Sequence, residues 1–294
     1  MDTLTLSALA PFSRHTWRLF SCFLVLGAVV ATTPCFTSAQ TDYYNTDAGR
    51  PIQIEDAYAL ERRGFEIELA PFRLERSRRG IYNLAIEPEL SYGILPRTDI
   101  EIGLPFAFID AGLGNRTAGL AGIDLSVFHN LNVETAIPAL AVAASVLLPA
   151  GGLAADRAYA SVKGIVTRTV FSSARIHLNG QYTFGDELPE VRENGSQART
   201  QVGQQALELS RWLGGIAIDR TFPLRALLVT GEVYAQKPLR EREDVELNTG
   251  VGLRYQLSPR LNVDGGIGRR LSGDDRGWYV TFGSAVAFGL PWRP

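Results

Sequence analysis

Imidazole is scarce in this chain. Outside the first 39 residues it occurs only at His129 and His177, and neither stands in a nucleophile motif. A histidine beside a serine on a neighbouring strand could activate that hydroxyl for attack on a lipid ester. The strand carrying His177 has no adjacent Ser, so catalysis is not expected. Two isolated histidines lack the third ligand of a zinc site, and no metal or cofactor is implied. The carboxylate pairs Glu66 and Glu68, Glu87 and Glu89, and Asp99 and Glu101 resemble calcium ligands or a glycosidase pair by type alone. Alternation along a strand forces i and i+2 onto one face, so the spacing carries no chemical information. Gly112-Leu113-Gly114 and Leu148-Pro149-Ala150-Gly151-Gly152 lack a following Lys-Ser/Thr pair or a helical pattern, and read as turns. What remains is charge arranged on faces.

Those faces belong to strands. Trp278, Val280, Phe282, Val286 and Phe288 alternate with Thr281, Gly283, Ala285 and Ala287, which gives one oily face and one small or polar face. About a dozen such segments follow one another from Phe65, most with a clear period of two. Three of them, near residues 158–170, 205–218 and 224–235, have mixed parity. Opposite the oily positions stand the candidate lumen residues. The early strands supply Glu66, Glu68, Glu87, Glu89, Asp99, Glu101 and Asp124, an acidic wall. The later ones supply Arg175, His177, Asn179, Gln181, Glu246, Asn248, Arg254, Gln256, Asn262, Asp264 and Arg270, a mixed wall richer in Arg. Opposed charges across a narrow wet space either orient water and polar solutes or pair with one another and close it. Both readings stay open.

Arg14 and Arg18 precede an uncharged apolar run from Leu19 to Ala31, and Thr37-Ser38-Ala39 offers a cleavage site. The run is about 13 residues, short of the roughly 20 that a helix needs to cross a bilayer, so residues 1–39 read as a secretory signal peptide. Cys22 and Cys35 both lie inside it, which leaves the mature chain without thiol or disulfide chemistry. Net charge is −2, with no basic excess to support nucleic-acid binding. Arg far outnumbers Lys, present only as Lys163 and Lys237. Arg suits phosphate, hence lipopolysaccharide, although a GC-rich genome explains the bias equally well. Residues 40–63 form a periplasmic lead-in or partial plug, in which Glu55 and Asp56 could open a short helix.

Short turns alternate with long polar loops. Residues 95–98, 130–134, 172–173, 220–223 and 258–260 are short, whereas Asp186 to Gln201 and Gln236 to Asp244 are long. That asymmetry belongs to outer-membrane barrels, and a soluble β-sandwich gives no reason for it. An open sheet with this much oily surface would leave unpaired edges in lipid, so the sheet must close. The fold expected is all-β: a transmembrane antiparallel barrel of about 12 strands over residues 64–288, with 289–294 a periplasmic tail. Thr281, Gly283, Val286 and Phe288 match the C-terminal pattern by which such barrels are recognised for insertion.

Residues 51–57, the early pair of charged strands, Leu148 to Gly152, Gly250 to Ser258, and Leu261 to Gly268 together resemble the transporter-like outer-membrane family named for a MetA pathway of phenol degradation. The resemblance covers residues 51–288 and implies a β-barrel passing small hydrophobic or aromatic compounds. The expected function is therefore passive solute passage by a monomer in the outer membrane of a Gram-negative bacterium. Its partners would be outer-membrane lipid and lipopolysaccharide, the barrel-assembly machinery during insertion, and a small solute. The alternatives are a closed barrel with a structural or surface role and, less favoured, a lipid hydrolase.

Overall fold

The computed structural model describes residues 45–77, 82–110, 116–171, 174–188, 209–240, 243–273 and 276–289. The expected signal peptide, most of the Asp186 to Gln201 loop, Ser172-Ser173 and the tail after Gly289 lie outside the described residues. The strand segments are β1 (Gly64–Ser77), β2 (Tyr82–Ile86), β3 (Glu89–Leu95), β4 (Thr98–Gly103), β5 (Phe106–Asp110), β6 (Arg116–Leu120), β7 (Ile123–Asn132) and β8 (Ala139–Leu148). They continue as β9 (Tyr159–Phe171), β10 (Ala174–Thr183), β11 (Ser210–Thr221), β12 (Leu227–Pro238), β13 (Glu246–Ser258), β14 (Leu261–Arg270) and β15 (Gly277–Gly289). Every pairing is antiparallel: β1 pairs both β2 and β3, β2 pairs β5, β3 pairs β4, β4 pairs β7, β5 pairs β6, successive strands pair from β7 to β15, and β15 closes on β1 from Gly64↔Gly289 to Ser77↔Gly277. No helix occurs among the described residues.

Three pairs of segments are single strands interrupted midway: β2 and β3 at Glu87-Pro88, β4 and β5 at Leu104-Pro105, β6 and β7 at Ala121-Gly122. Counted so, the molecule is a closed barrel of twelve strands. Proline has no N–H to give a ladder, so each Pro breaks its strand. The breaks lie side by side, because Leu104 N donates to Pro88 O at 3.0 Å and Ala121 N to Pro105 O at 2.8 Å. Sequence periodicity runs through the breaks at Pro88 and Pro105 unchanged and does not reveal them, whereas at Ala121-Gly122 the inward set shifts by one residue, from Gly119 and Ala121 to Asp124 and Ser126. The turns also shift slightly, since β7 continues to Asn132 rather than ending before 130, and the turn after β11 lies at Phe222 to Ala226 rather than at 220–223.

Alternation is plain in burial. On β13, Val251 is 57% exposed while Arg254 is 1% exposed. Large apolar side chains standing outward all around a closed wall define a lipid-facing surface, because water would penalise so much exposed oil. Phe65, Tyr92 and Phe288 stack on the outside near the closing seam, with centroids 4.4 and 5.4 Å apart. The segments of mixed parity prove to be β9, β11 and β12. Their inward positions include Ile165, Leu213, Ala217 and Tyr234, which are apolar and buried because residues before β1 pack on them inside the barrel.

Replacing Val251 with Arg places a charge on the lipid face near the middle of its strand. The barrel should lose about 2–4 kcal/mol of stability in phospholipid vesicles, read by urea unfolding. Unchanged stability would contradict the outward assignment.

Candidate functional site in the barrel lumen

The segment from Asn45 to Arg63 crosses the inside of the barrel as irregular chain. Irregular backbone in a water-poor interior must find partners for its N–H and C=O groups, and here the wall provides them as side chains. The Glu232 carboxylate accepts from Gln53 N and Ile54 N at 2.8 and 3.0 Å. Asn179 clasps Glu55 from both sides, accepting from its N–H at 3.0 Å and donating to its carbonyl at 2.9 Å. Thr167 Oγ1 accepts from Ala57 N at 2.9 Å, and Asp99 accepts from Leu60 N at 2.7 Å. Thr281 donates to Pro51 O at 2.8 Å. With these N–H groups committed to the wall, none is left for an i→i−4 ladder. The short helix that Glu55 and Asp56 could have opened therefore does not form.

Arg50 is the anchor. Its side chain is fully buried, with Nη1 2.7 Å from Glu68, Nη2 2.7 Å from Asp264 and 3.0 Å from Asn262. Burial lowers the Arg50 pKa, but Glu68 and Asp264 outweigh it and hold the group well above its ordinary value. Arg254 braces the same turn by donating to Arg50 O at 3.0 Å and pairing with Asp47 at 3.0 Å, with a further bond to Asn45 O. Glycines make room: a Cβ at Gly252 would stand 2.7 Å from Pro51, and one at Gly266 would stand 2.5 Å from Pro51 O. The glycine-rich run of β13 and β14 is thus a groove for residues 50–52. Farther along, Asp56 lies 3.2 Å from Arg175, which also pairs with Asp219 at 2.6 Å. Burial pushes the Asp56 carboxyl up to about 6, with Arg175 and His177 pulling it down.

His177 does meet a hydroxyl, though not a serine. Its Nδ1 is 3.0 Å from Thr167 Oγ1 and its Nε2 is 3.0 Å from Asp219. This has the connectivity of a nucleophile–base–acid chain, but Thr167 and His177 are both 0% exposed. The hydroxyl already accepts from Ala57, so no substrate reaches it. The arrangement holds the segment.

The lumen candidates thus fall into groups. Arg175 and Asn179 engage Asp56 and Glu55, His177 reaches Ala57 through Thr167, and Arg254, Asn262 and Asp264 engage residues 45–50. Glu246 accepts from Gln236 at 2.9 Å and lies 3.1 Å from Arg270, in a cluster apart from both. Asn248 is buried and stands opposite Arg270 in the register, and Gln256 is partly buried and stands opposite Asn262. Glu66, Glu68, Glu87, Glu89, Asp99, Glu101, Asp124 and Gln181 line a cavity of about 500 Å³ beside the segment. Asp47, Glu66 and Glu68 bring carboxylate oxygens within 4.8 Å of one another, but Arg254 and Arg50 already pair with Asp47 and Glu68. Sequence reasoning missed Arg50, Lys163, Thr167, Asp219 and Glu232. The mixed parity of β9, β11 and β12 was the signal that something apolar packs inside.

A closed antiparallel wall, an oily outer surface and a charged interior define an outer-membrane β-barrel. Over residues 48–288 the sequence matches the family described as "Putative MetA-pathway of phenol degradation", and the chain belongs to that family. No curated protein matches it. Among solved structures, an outer membrane channel from Pseudomonas putida F1 is similar at TM-score 0.54 and 11% identity, covering 83% of this chain and 100% of that one. The CymD monoaromatic hydrocarbon channel is similar at TM-score 0.43 and 8% identity, covering 78% and 90%. The outer membrane phospholipase A from Escherichia coli is similar at TM-score 0.42 and 8% identity, covering 85% and 98%.

Arg50→Ala removes the cation between two buried carboxylates, and breaking such a pair costs about 3–5 kcal/mol. The substitution should release residues 45–63 to proteinase K in the folded barrel while the wall stays resistant. Wild-type resistance of the segment in Arg50→Ala would show that Arg50 is not its anchor.

Proposed function

We propose that this chain is a channel for passive passage of small solutes across the outer membrane, with residues 45–63 narrowing its lumen. The cavity of about 500 Å³ that remains beside the segment carries this reading. A barrel serving only as a wall has no need of such space, and the volume falls in the usual range for binding small molecules. The family's tie to phenol degradation makes small aromatic compounds the first solutes to test. A closed barrel with a structural or surface role is the second reading, favoured by the side-chain bonds that hold the segment across the lumen.

The finer features follow the same reading. Residues 1–39 direct export and are removed, and Thr281, Gly283, Val286 and Phe288 are read by the assembly machinery. The barrel works as a monomer surrounded by lipid and lipopolysaccharide. Mass spectrometry of the exported protein should give an N-terminus at Gln40, and a retained leader would refute the cleavage.

Planar-bilayer current and liposome swelling separate the two main readings. Refolded protein should pass ions and small solutes slowly, and deletion of residues 45–60 should raise both rates several-fold. Absence of current and of flux in both forms would favour the closed barrel.

A further inference from the structure

We infer that the outward face of the barrel carries, at the outer ends of β14, β15, β1 and β2, a binding site for the phosphates of lipid A, the diphosphorylated disaccharide lipid that anchors lipopolysaccharide. The inference rests on the outer-membrane placement of the barrel and not on passage through it. One register row supplies the site. Arg269 stands opposite Trp278, Trp278 opposite Arg76, and Arg76 opposite Tyr82. All four are exposed, and they continue the outward sets of their strands, with Ile267 on β14, Val280 and Phe282 on β15, and Leu74 on β1.

The charges in this row are not spent within the protein. Among the described residues neither Arg76 nor Arg269 has an ion pair. The Arg76 guanidinium carbon lies 5.6 Å from the centre of the Tyr82 ring, a cation–π contact that leaves its charge unneutralised. Asp110, the acid opposite Tyr82, is taken by Arg116 at 2.9 Å. The neighbouring acids Glu75 and Glu246 face the lumen, where they meet Arg73 at 2.7 Å and Arg270 at 3.1 Å. Farther around the barrel, the outward row at the same end again joins aromatic and cation, with Tyr182 opposite Trp212 and Trp212 opposite Lys237. The other end is different. There the outward row on β15, β1, β3 and β4 is Phe288, Phe65, Tyr92 and Ile100, without charge.

Depth and spacing select the ligand. At ~3.3 Å per residue and a strand tilt of about 40°, Phe65 and Arg76 on β1 are separated by roughly 28 Å along the barrel axis, close to the height of about 25 Å of an outer-membrane apolar band. With the aromatic row at the inner boundary, the arginines stand at the outer one, among the phosphates of the outer leaflet. Arg269 and Arg76 flank β15 and are about 10 Å apart at ~4.8 Å per strand, with the Trp278 indole between them. Lipid A bears a phosphate at each end of its disaccharide, so one molecule meets both arginines while its sugars cover the indole. A phospholipid brings one phosphate and meets one arginine. Guanidinium binds phosphate through parallel N–H donors, and such charge-assisted bonds are the strong ones.

Native mass spectrometry of the exported protein folded in detergent tests this by titration with lipid A, monophosphoryl lipid A and phosphatidylglycerol. Lipid A should bind about tenfold more tightly than either of the others. Arg76→Gln with Arg269→Gln should abolish that preference. Arg225→Gln, which removes an exposed arginine from the turn after β11 at the opposite end, should leave it intact. Both arginines of the site are exposed and unpaired, so the double variant should fold, as heat-modifiable gel migration will show. If it does not fold, Arg269→Gln alone makes the same comparison. Equal affinity for the three lipids, a preference unchanged in the double variant, or an equal loss in Arg225→Gln would overturn the site. Planar-bilayer current keeps the two ideas apart. A conducting barrel without the lipid A preference sinks this site alone, and a barrel that prefers lipid A without conducting sinks passage alone.

Discussion

The buried guanidinium of Arg50, held between Glu68, Asp264 and Asn262, fixes where the chain enters the lumen, and much of the interior follows from it. A charge so far from water is tolerable only when its donors are met and its charge is balanced. Meeting that condition takes an acid from β1, a polar pair from β14 and close approach of backbone at Gly252 and Gly266. Once Arg50 and Pro51 are seated, the following residues run along the later half of the wall. Glu232, Asn179 and Thr167 then satisfy the backbone as it passes.

The result is a lumen with two unlike halves. From β9 to β15 Arg175, Asn179, Glu232, Arg254, Asn262 and Asp264 hold the protein's own segment, while Glu246 and Arg270 pair with each other. From β1 to β7 most inward carboxylates face open space instead. Those carboxylates line the cavity of about 500 Å³ that residues 45–63 leave open. The same asymmetry explains why the chemistry of His177 is structural. Its partners Thr167 and Asp219 lie in the half covered by residues 45–63, out of reach of any substrate.

The wall itself owes its form to local rules. Period-two patterning places oil outside and polarity inside, and closure removes edges that lipid cannot satisfy. The aligned breaks at Pro88 and Pro105 interrupt the ladder without changing which side each residue faces, whereas the break at Ala121-Gly122 shifts the inward set by one residue, from Thr117 and Gly119 to Asp124 and Ser126. Glu87 and Glu89 accordingly remain on the inner face although their strand is cut between them.

Alternation, the turn–loop asymmetry and the final segment from Trp278 to Phe288 were enough to read an antiparallel barrel and the inward parity of its charged residues, because both depend on neighbours along the chain. The partners of those residues were not legible. Arg50 meets Asp264 and Asn262 across more than 200 positions of sequence, at separations of 214 and 212. Nothing local in residues 45–63 marks them for the lumen rather than for a helix or a free lead-in. The mixed parity of β9, β11 and β12 hinted at internal packing without saying what packed. Sequence therefore determined the wall and the faces of its strands, since side-chain direction in a strand is a local property. Only the tertiary structure decided which charges are spent on the segment and which are left facing the cavity, since that depends on where a second piece of chain lies inside the closed ring.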